Sequence, residues 1–381
     1  MNKKLLLLGG GHAQVHVLQA LAREPVVGAE VALITPFARQ FYSGMVPGLV
    51  AGHYRAEQCA IALQPLADAA RVQLIEGSAV ALDAAARRVT LADGRVADYD
   101  VLSLDTGAVM DRDQLPGARE HGLFVRPIEH FVRLLDGLLD LAARRVLDVV
   151  VIGGGAAGVE LALALQHRLA GRGEARARVA LVTGGPDPLA GYASGVMRRA
   201  AQALARHKVT VFRDSCVALE PGAVVLGSGA RLACDAPVLA TGAQAPAWLA
   251  GSGLALDARG FVLTGPTLQS ASHPQVFAAG DVATRADVQH AKSGVYAVRA
   301  GPPLALNLRR LIGGGVLEAH VPQRRTLNLI SCGGRRAIVS WGNLAGEGRW
   351  AWWWKDRIDR GFVARYSKAD APGATELTRS A

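Results

Sequence analysis

The chain has 381 residues, 50% of them hydrophobic and 19% charged, with a formal net charge of +10. That balance excludes bulk disorder, and the length exceeds one ordinary core, so about two or three domains are expected. The positive surplus favours anionic partners such as nucleotides, but the basic residues are scattered without a long run, which argues against nucleic acid.

The chain opens with LLLLGGGHAQVH (5–16), a hydrophobic run, a glycine turn and then a helical pattern. The apolar run is too short for the core of a signal peptide. Gly9 and Gly11 fill the first two places of G-x-G-x-x-G, and Gln14 stands where the third glycine is expected. VALITP (31–36) predicts a second strand, and Thr35 ends it where an acid would bind ribose hydroxyls. ARRVTLADGRVADYDVL (86–102) alternates around Asp93-Gly94, which predicts a hairpin before the closing strand VLSLDTGA (101–108). DRDQLPGAREHGL (111–123) reads as a polar linker and PIEHFVRLLDGLLDLAARR (127–145) as a helix.

The middle of the chain then repeats its beginning. DVVVIGGGAAGVELALAL (148–165) matches KLLLLGGGHAQVHVLQAL (4–21), VALVTG (179–184) matches VALITP, and PVLATGA (237–243) matches VLSLDTGA. Here Gly153, Gly155 and Gly158 complete the glycine pattern. The first makes the tight turn, the second lets the backbone approach a pyrophosphate, and the third lets helix and strand pack closely. The fold class expected is α/β, with two Rossmann-like dinucleotide-binding domains. Aligned to this copy, Gln14 matches Gly158, so the first turn should still meet phosphate through Gly9 and Gly11. Gln14→Gly is then expected to be tolerated, and Gly11→Val to eject the cofactor. Thr183 ends the second strand of this unit without an acid or a closely following Arg, which leaves NADH and NADPH both open. The stretch 146–165 carries Asp148, Glu160 and a glycine turn and does not read as a membrane span; GRGEARAR (171–178) reads as a surface loop.

SHPQVFAAGDVA (272–283) follows the two units. A strand ending in F-A-A-G-D at this place resembles the pyridine nucleotide–disulfide oxidoreductase superfamily of flavoproteins. RQFYSGMVPGLVAGHY (39–54), KSGVYAVRAGPPLALNL (292–308) and LISCGGRRAIVSWGN (329–343) resemble one branch of it, the module fused to selenide, water dikinase in some bacteria. That branch is related to type II NADH dehydrogenases and sulfide:quinone oxidoreductases. The resemblance implies FAD on residues 1–113 and 244–320, NADH or NADPH on 114–243 after a linker at 111–126, and a C-terminal interface or membrane-contact segment at 321–381.

The resemblance also implies roles for single residues. Gly280 and Asp281 would hold the ribityl or pyrophosphate part of FAD; from the residues alone, Asp281 also suits a helix N-cap before VATRA. Lys292 would approach the flavin ring, where an ammonium group and a helix N-terminus favour the reduced anion; the alternative is a solvated lysine. Glu160 would lie near the nicotinamide, or be a helix-interior glutamate paired with an arginine. Pro47 would shape a turn beside the isoalloxazine, and Val80 would read adenine through its backbone. Thr106-Gly107 and Thr241-Gly242 close the two units, with Asp105 where relatives usually carry alanine; whether it faces cofactor or solvent is open. Arg39 could reach the FAD diphosphate or adenosine, or be a surface cation.

In the tail RWAWWWKDRIDRGFVARYSK (349–368), Trp350, Trp354, Ile358 and Phe362 fall on one helical stripe. A membrane interface, the protein body and a second copy in a homodimer are all open as its partner. Cys59, Cys216, Cys234 and Cys332 are too far apart in sequence for a local redox pair or a zinc knuckle and read as buried small hydrophobes; no metal is expected. The expected function is an FAD-dependent NAD(P)H:acceptor oxidoreductase passing electrons to a quinone or other small molecule. Its expected location is cytoplasmic, with peripheral contact at the inner face of the membrane. The alternatives are a sulfide- or selenium-linked flavin oxidoreductase using Cys332, and a flavin-bearing partner of selenophosphate synthesis with little turnover.

Overall fold

A computed structural model of the chain describes residues 2–170, 177–185 and 187–367. The loop expected at 171–178 lies outside them apart from Ala177 and Arg178, as does Lys368 of the tail. Two five-stranded parallel sheets carry the fold. The first runs in the order Val276–Ala278, Val101–Leu104, Lys3–Leu8, Ala29–Thr35, Gln73–Glu76. The second runs Leu123–Phe124, Ala236–Leu239, Leu147–Ile152, Ala177–Val182, Thr210–Phe212. In both, the strand that precedes the glycine turn is central and the strand ending in T-G-A lies beside it.

The unbroken apolar runs have a physical reason: parallel strands are covered on both faces. Leu5 and Leu7 join one core and Leu6 and Leu8 another. Val149 and Val151, and Val150 and Ile152, divide between two further cores in the same alternation. One cover over the first sheet is the antiparallel layer Ala79–Asp83, Arg88–Leu91, Val96–Asp98. Its expected turn forms at Asp93-Gly94, with Gly94 at φ 85° and the Asp93 carboxylate accepting the Arg95 N–H at 3.0 Å. The opposite cover is the first helix, His12–Arg23, which packs against the helix Gly294–Gly313. The helix expected at 127–145 forms over Ile128–Arg144 and buries Phe131, Leu135, Leu138 and Ala142.

The C-terminal part is a three-stranded antiparallel sheet, Leu327–Ser331, Ala337–Trp341, Leu344–Gly348, followed by the helix Arg349–Ser367. This helix corrects the expected stripe. Trp350, Trp354 and Ile358 are 57%, 43% and 43% exposed, whereas Phe362 is buried. The face laid on the body instead carries Ala351, Trp352, Lys355, Asp359, Phe362, Val363 and Tyr366. Polar contacts fix it there: Tyr54 Oη donates to Asp356 Oδ1 at 2.6 Å, and Gln19 Nε2 to the Arg365 carbonyl at 2.9 Å. Among the described residues no helix is long and apolar enough to cross a membrane. The segment after Asp281 is also different from expectation: it is a strand, Ala283–Arg285, so Asp281 caps no helix there.

Candidate functional site

The glycine turn after Lys3–Leu8 opens into a cleft of about 530 Å³ at the carboxyl ends of the first sheet, where open parallel sheets bind ligands. Gly9, Gly11, Thr35, Arg39, Thr106, Gly107 and Asp281 all line it, so the structure gathers most of the first unit's expected site residues. Gly9 needs to be glycine twice over: its φ is +94°, and a Cβ would lie 2.5 Å from the Asp105 carbonyl oxygen. Gly11 begins the first helix with no side-chain cap of its own.

The cleft is lined by polar groups. Thr106 Oγ1 is buried and has no hydrogen-bond partner. The N-terminus of Gly294–Gly313 enters the cleft through Gly294, which adds the positive end of a helix dipole. Arg126 Nη1 donates to Asp281 Oδ2 at 3.0 Å across the cleft wall. An elongated, partly anionic molecule with hydroxyls fits this set: glycine amides and helix ends for phosphate, Asp281 for hydroxyls, arginines for charge.

Several expected residues stand elsewhere. Val80 is 48% exposed and outside the cleft lining; Ser78 and Ala79, just before it, line the cleft instead. Pro47 is buried inside the short helix Val46–Val50; the residues before that helix that reach the cleft are Arg39, Gln40, Phe41 and Ser43. Gly280 and Lys292 line an adjoining cavity of about 30 Å³, which shares Asp281 with the cleft. Lys292 is half-buried and partnered: its Nζ donates to the Ala283 carbonyl at 2.7 Å and Thr284 Oγ1 at 3.1 Å, and lies 3.6 Å from the Phe261 ring centroid. Burial pulls its ammonium down to about 8, with Asp281 and Asp257 opposing the fall.

Glu160 is half-buried in the helix Ala156–Ala170, with no arginine partner among the described residues; its Oε1 accepts the Ser331 N–H at 2.7 Å. Burial pushes its carboxyl up to about 7, while the nearby Lys355 pulls the other way. In the second unit, Gly153 has φ +132° and a Cβ on it would meet the Ala240 carbonyl at 2.4 Å. A Cβ on Gly158 would come within 1.8 Å of the Gly153 carbonyl, which is why the third glycine is needed in this copy. Gly155 and Gly242 border open space. Thr183 Oγ1 donates to the Gly185 carbonyl at 3.0 Å, inside its own loop.

Among the cleft residues that sequence reasoning missed are His12, Arg126 and Trp248, and it left Asp105 open. His12 lines the cleft beside the stacked rings of Tyr42 and Phe362, and burial holds its imidazole down at about 4, hence neutral. Arg126 and Trp248 carry no motif that marks them. Asp105 lines the cleft but is only 3% exposed, with its carboxylate turned to the first helix and accepting the N–H groups of Ala13 and Gln14. Gln14 itself is fully buried, and its Nε2 donates to the Ser103 carbonyl at 2.8 Å, which speaks against the expectation that glycine would serve there. Cys332 is fully buried against Ala156–Ala170, lines neither cavity, and its thiol is pushed up to about 12 by burial.

The family model described as pyridine nucleotide-disulphide oxidoreductase matches residues 3–301, and the chain belongs to this family. It is 34% identical over 244 residues to an NADH dehydrogenase-like protein of Mycobacterium tuberculosis, a match covering 61% of this chain and 60% of that protein. The match thus spans about 60% of that relative's length. An alternative NAD(P)H-ubiquinone oxidoreductase of Arabidopsis thaliana is 27% identical over 325 residues, covering 74% of this chain and 62% of that protein. Among solved structures, the sulfide:quinone oxidoreductase of Aquifex aeolicus superposes with a TM-score of 0.79 at 20% identity, covering 97% of this chain and 92% of that one.

Proposed function

We propose that this family member is an FAD-dependent NAD(P)H:acceptor oxidoreductase, with a quinone or another small molecule taking the electrons. The observation that carries the reading is the long cleft at the first glycine turn, lined by an orphaned Thr106 hydroxyl and the Arg126–Asp281 pair. The complete second glycine turn on its own parallel sheet supports a second dinucleotide, NADH or NADPH. The names of the Mycobacterium and Arabidopsis relatives point the same way.

FAD, when bound, supplies the redox chemistry, accepting hydride from the nicotinamide and releasing electrons to the acceptor. The chain's own residues hold and bias it. The amides of the turn Gly9 to Gly11 and the start of His12–Arg23 take the diphosphate, and Arg39 and Arg126 add charge. Asp281 accepts from ribityl hydroxyls. The Gly294 helix end, with Lys292 behind Asp281, favours negative charge on the reduced ring. Gly153, Gly155 and the start of Ala156–Ala170 receive the nicotinamide dinucleotide, with Gly158 setting the helix close and Thr183 and Gly242 at the strand ends.

The exposed row Trp350, Trp353, Trp354 and Ile358 on the C-terminal helix supports contact with a membrane surface on the acceptor side. Sulfide or selenium chemistry needs reachable thiols, and the burial of Cys332 speaks against it. Purified full-length protein is expected to show a flavin spectrum, to bleach on anaerobic mixing with NADH or NADPH, and to recover with a water-soluble quinone. A colourless protein that takes up no FAD ends the reading; bound flavin that bleaches with neither nucleotide makes the chain a flavin-bearing scaffold. Co-sedimentation with anionic liposomes tests the Trp row.

A further inference from the structure

Two residues of the first unit depart from its internal copy, and they touch. Asp105 stands where the second unit has Ala240, and Gln14 where it has Gly158. The Asp105 carboxylate accepts the Ala13 N–H at 2.8 Å and the Gln14 N–H at 3.0 Å. It supplies from a neighbouring strand the cap that Gly11 cannot offer. It is also wedged between the two turns that border the cleft. A Cβ on Gly11 would lie 2.4 Å from its oxygens, and one on Gly280 would lie 2.5 Å from Oδ1.

This carboxylate is buried beside the place where a diphosphate would dock, and Arg126 is bonded to Asp281 instead. Its other charged or titratable neighbours give no relief. Asp281 faces it from the return segment and repels its charge, His12 is neutral, and Lys292 lies beyond Asp281 in the adjoining cavity. Burial, with a smaller push from Asp281 and against the pull of the two amide bonds, raises the Asp105 carboxyl to about 8. A diphosphate brings two more negative charges into a poorly solvated place, so the charged acid and the ligand oppose each other.

We propose that Asp105 is a positioning residue of the diphosphate site and binds FAD in its acid form, so that FAD binding at alkaline pH takes one proton from solvent. This rests on the FAD reading above. The neutral acid keeps its carbonyl oxygen as the helix cap while removing the like charge.

The test is the FAD dissociation constant of the flavin-stripped full-length chain, followed by quenching of flavin fluorescence. Affinity is expected to be flat below about pH 8 and to weaken by up to about tenfold per unit above it. Asp105→Asn retains an acceptor for the cap and cannot titrate, so its slope should be lower by one proton; any slope that stays belongs to Lys292. Calorimetry of FAD binding at about pH 8.5 in two buffers of different ionisation enthalpy needs only the native chain and should show uptake of most of one proton. A wild-type affinity independent of pH, zero proton uptake, or an unchanged slope in Asp105→Asn overturns the proposal. Failure to bind FAD even at about pH 6.5, where binding should be strongest, overturns the flavin reading itself.

Discussion

Replacing Gln14 with glycine would restore the usual dinucleotide pattern and is expected to damage the protein. Gln14 is fully buried and its Nε2 donates to the Ser103 carbonyl at 2.8 Å. Glycine would leave a void where the side chain was, costing about 2–4 kcal/mol, with about 1 kcal/mol more for the lost hydrogen bond. Glycine in a helix adds up to about 1 kcal/mol. The total, about 4 kcal/mol, corresponds to a melting point lower by about 8–16 °C for a domain of this size. The assay is a thermal melt of the full chain followed by near-ultraviolet circular dichroism. Gln14→Met keeps the volume and loses only the hydrogen bond, so about 1 kcal/mol and a few degrees are expected. A Gln14→Gly melting point within about 2 °C of wild type would show that the buried side chain is not what fills this space.

Gly11→Val should yield colourless protein, since its Cβ alone would lie 2.3 Å from Asp105 Cγ at the mouth of the phosphate-binding turn; flavin content of the purified variant measures this. Gly158→Ala places a methyl within 1.8 Å of the Gly153 carbonyl and should displace the helix Ala156–Ala170, weakening NAD(P)H reduction of the flavin while leaving flavin content intact, as stopped-flow mixing and absorbance would show. Glu160→Gln should change the pH dependence of stability. Burial raises the folded-state value from 4.5 to about 7, so the native state favours the acid, and its contribution is full at low pH and lost as pH rises through about 7. Denaturation midpoints at about pH 5 and about pH 8 should therefore fall further apart in wild type than in the variant. The thiols of Cys59, Cys234 and Cys332 are buried, with burial pushing each up to about 12, so native protein should react with a thiol reagent at Cys216 and release the other three only on unfolding.

Much of this fold was legible in the residues because its signals are local. A strand's apolar run, the positive φ demanded of Gly9 and Gly153, and the Asp93-Gly94 turn each depend on a few neighbouring positions. The internal repeat then tied two such units together, and both sheets place their strands as the repeat implies. The phosphate turn, Thr106 and Asp281 followed from the same motifs and do meet in one cleft.

Side-chain destinations were set by the tertiary structure. Asp105 reaches the first helix across 92 positions and Arg126 reaches Asp281 across 155, distances over which no periodicity carries information. The C-terminal stripe was misjudged at Phe362 because helical spacing gives a face but not the surface it meets; the body supplies that surface through Tyr42 and His12. For Lys292 the motif gave two surroundings, flavin or solvent, and packing added a third that no motif marks, the Phe261 ring and the Ala283 carbonyl. The sequence by itself determined the two dinucleotide units and their glycine turns, because backbone conformation is a local property. Only the tertiary structure decided that Gln14 and Asp105 complete each other, because burial and hydrogen-bond partners exist only once distant strands and helices have been brought together.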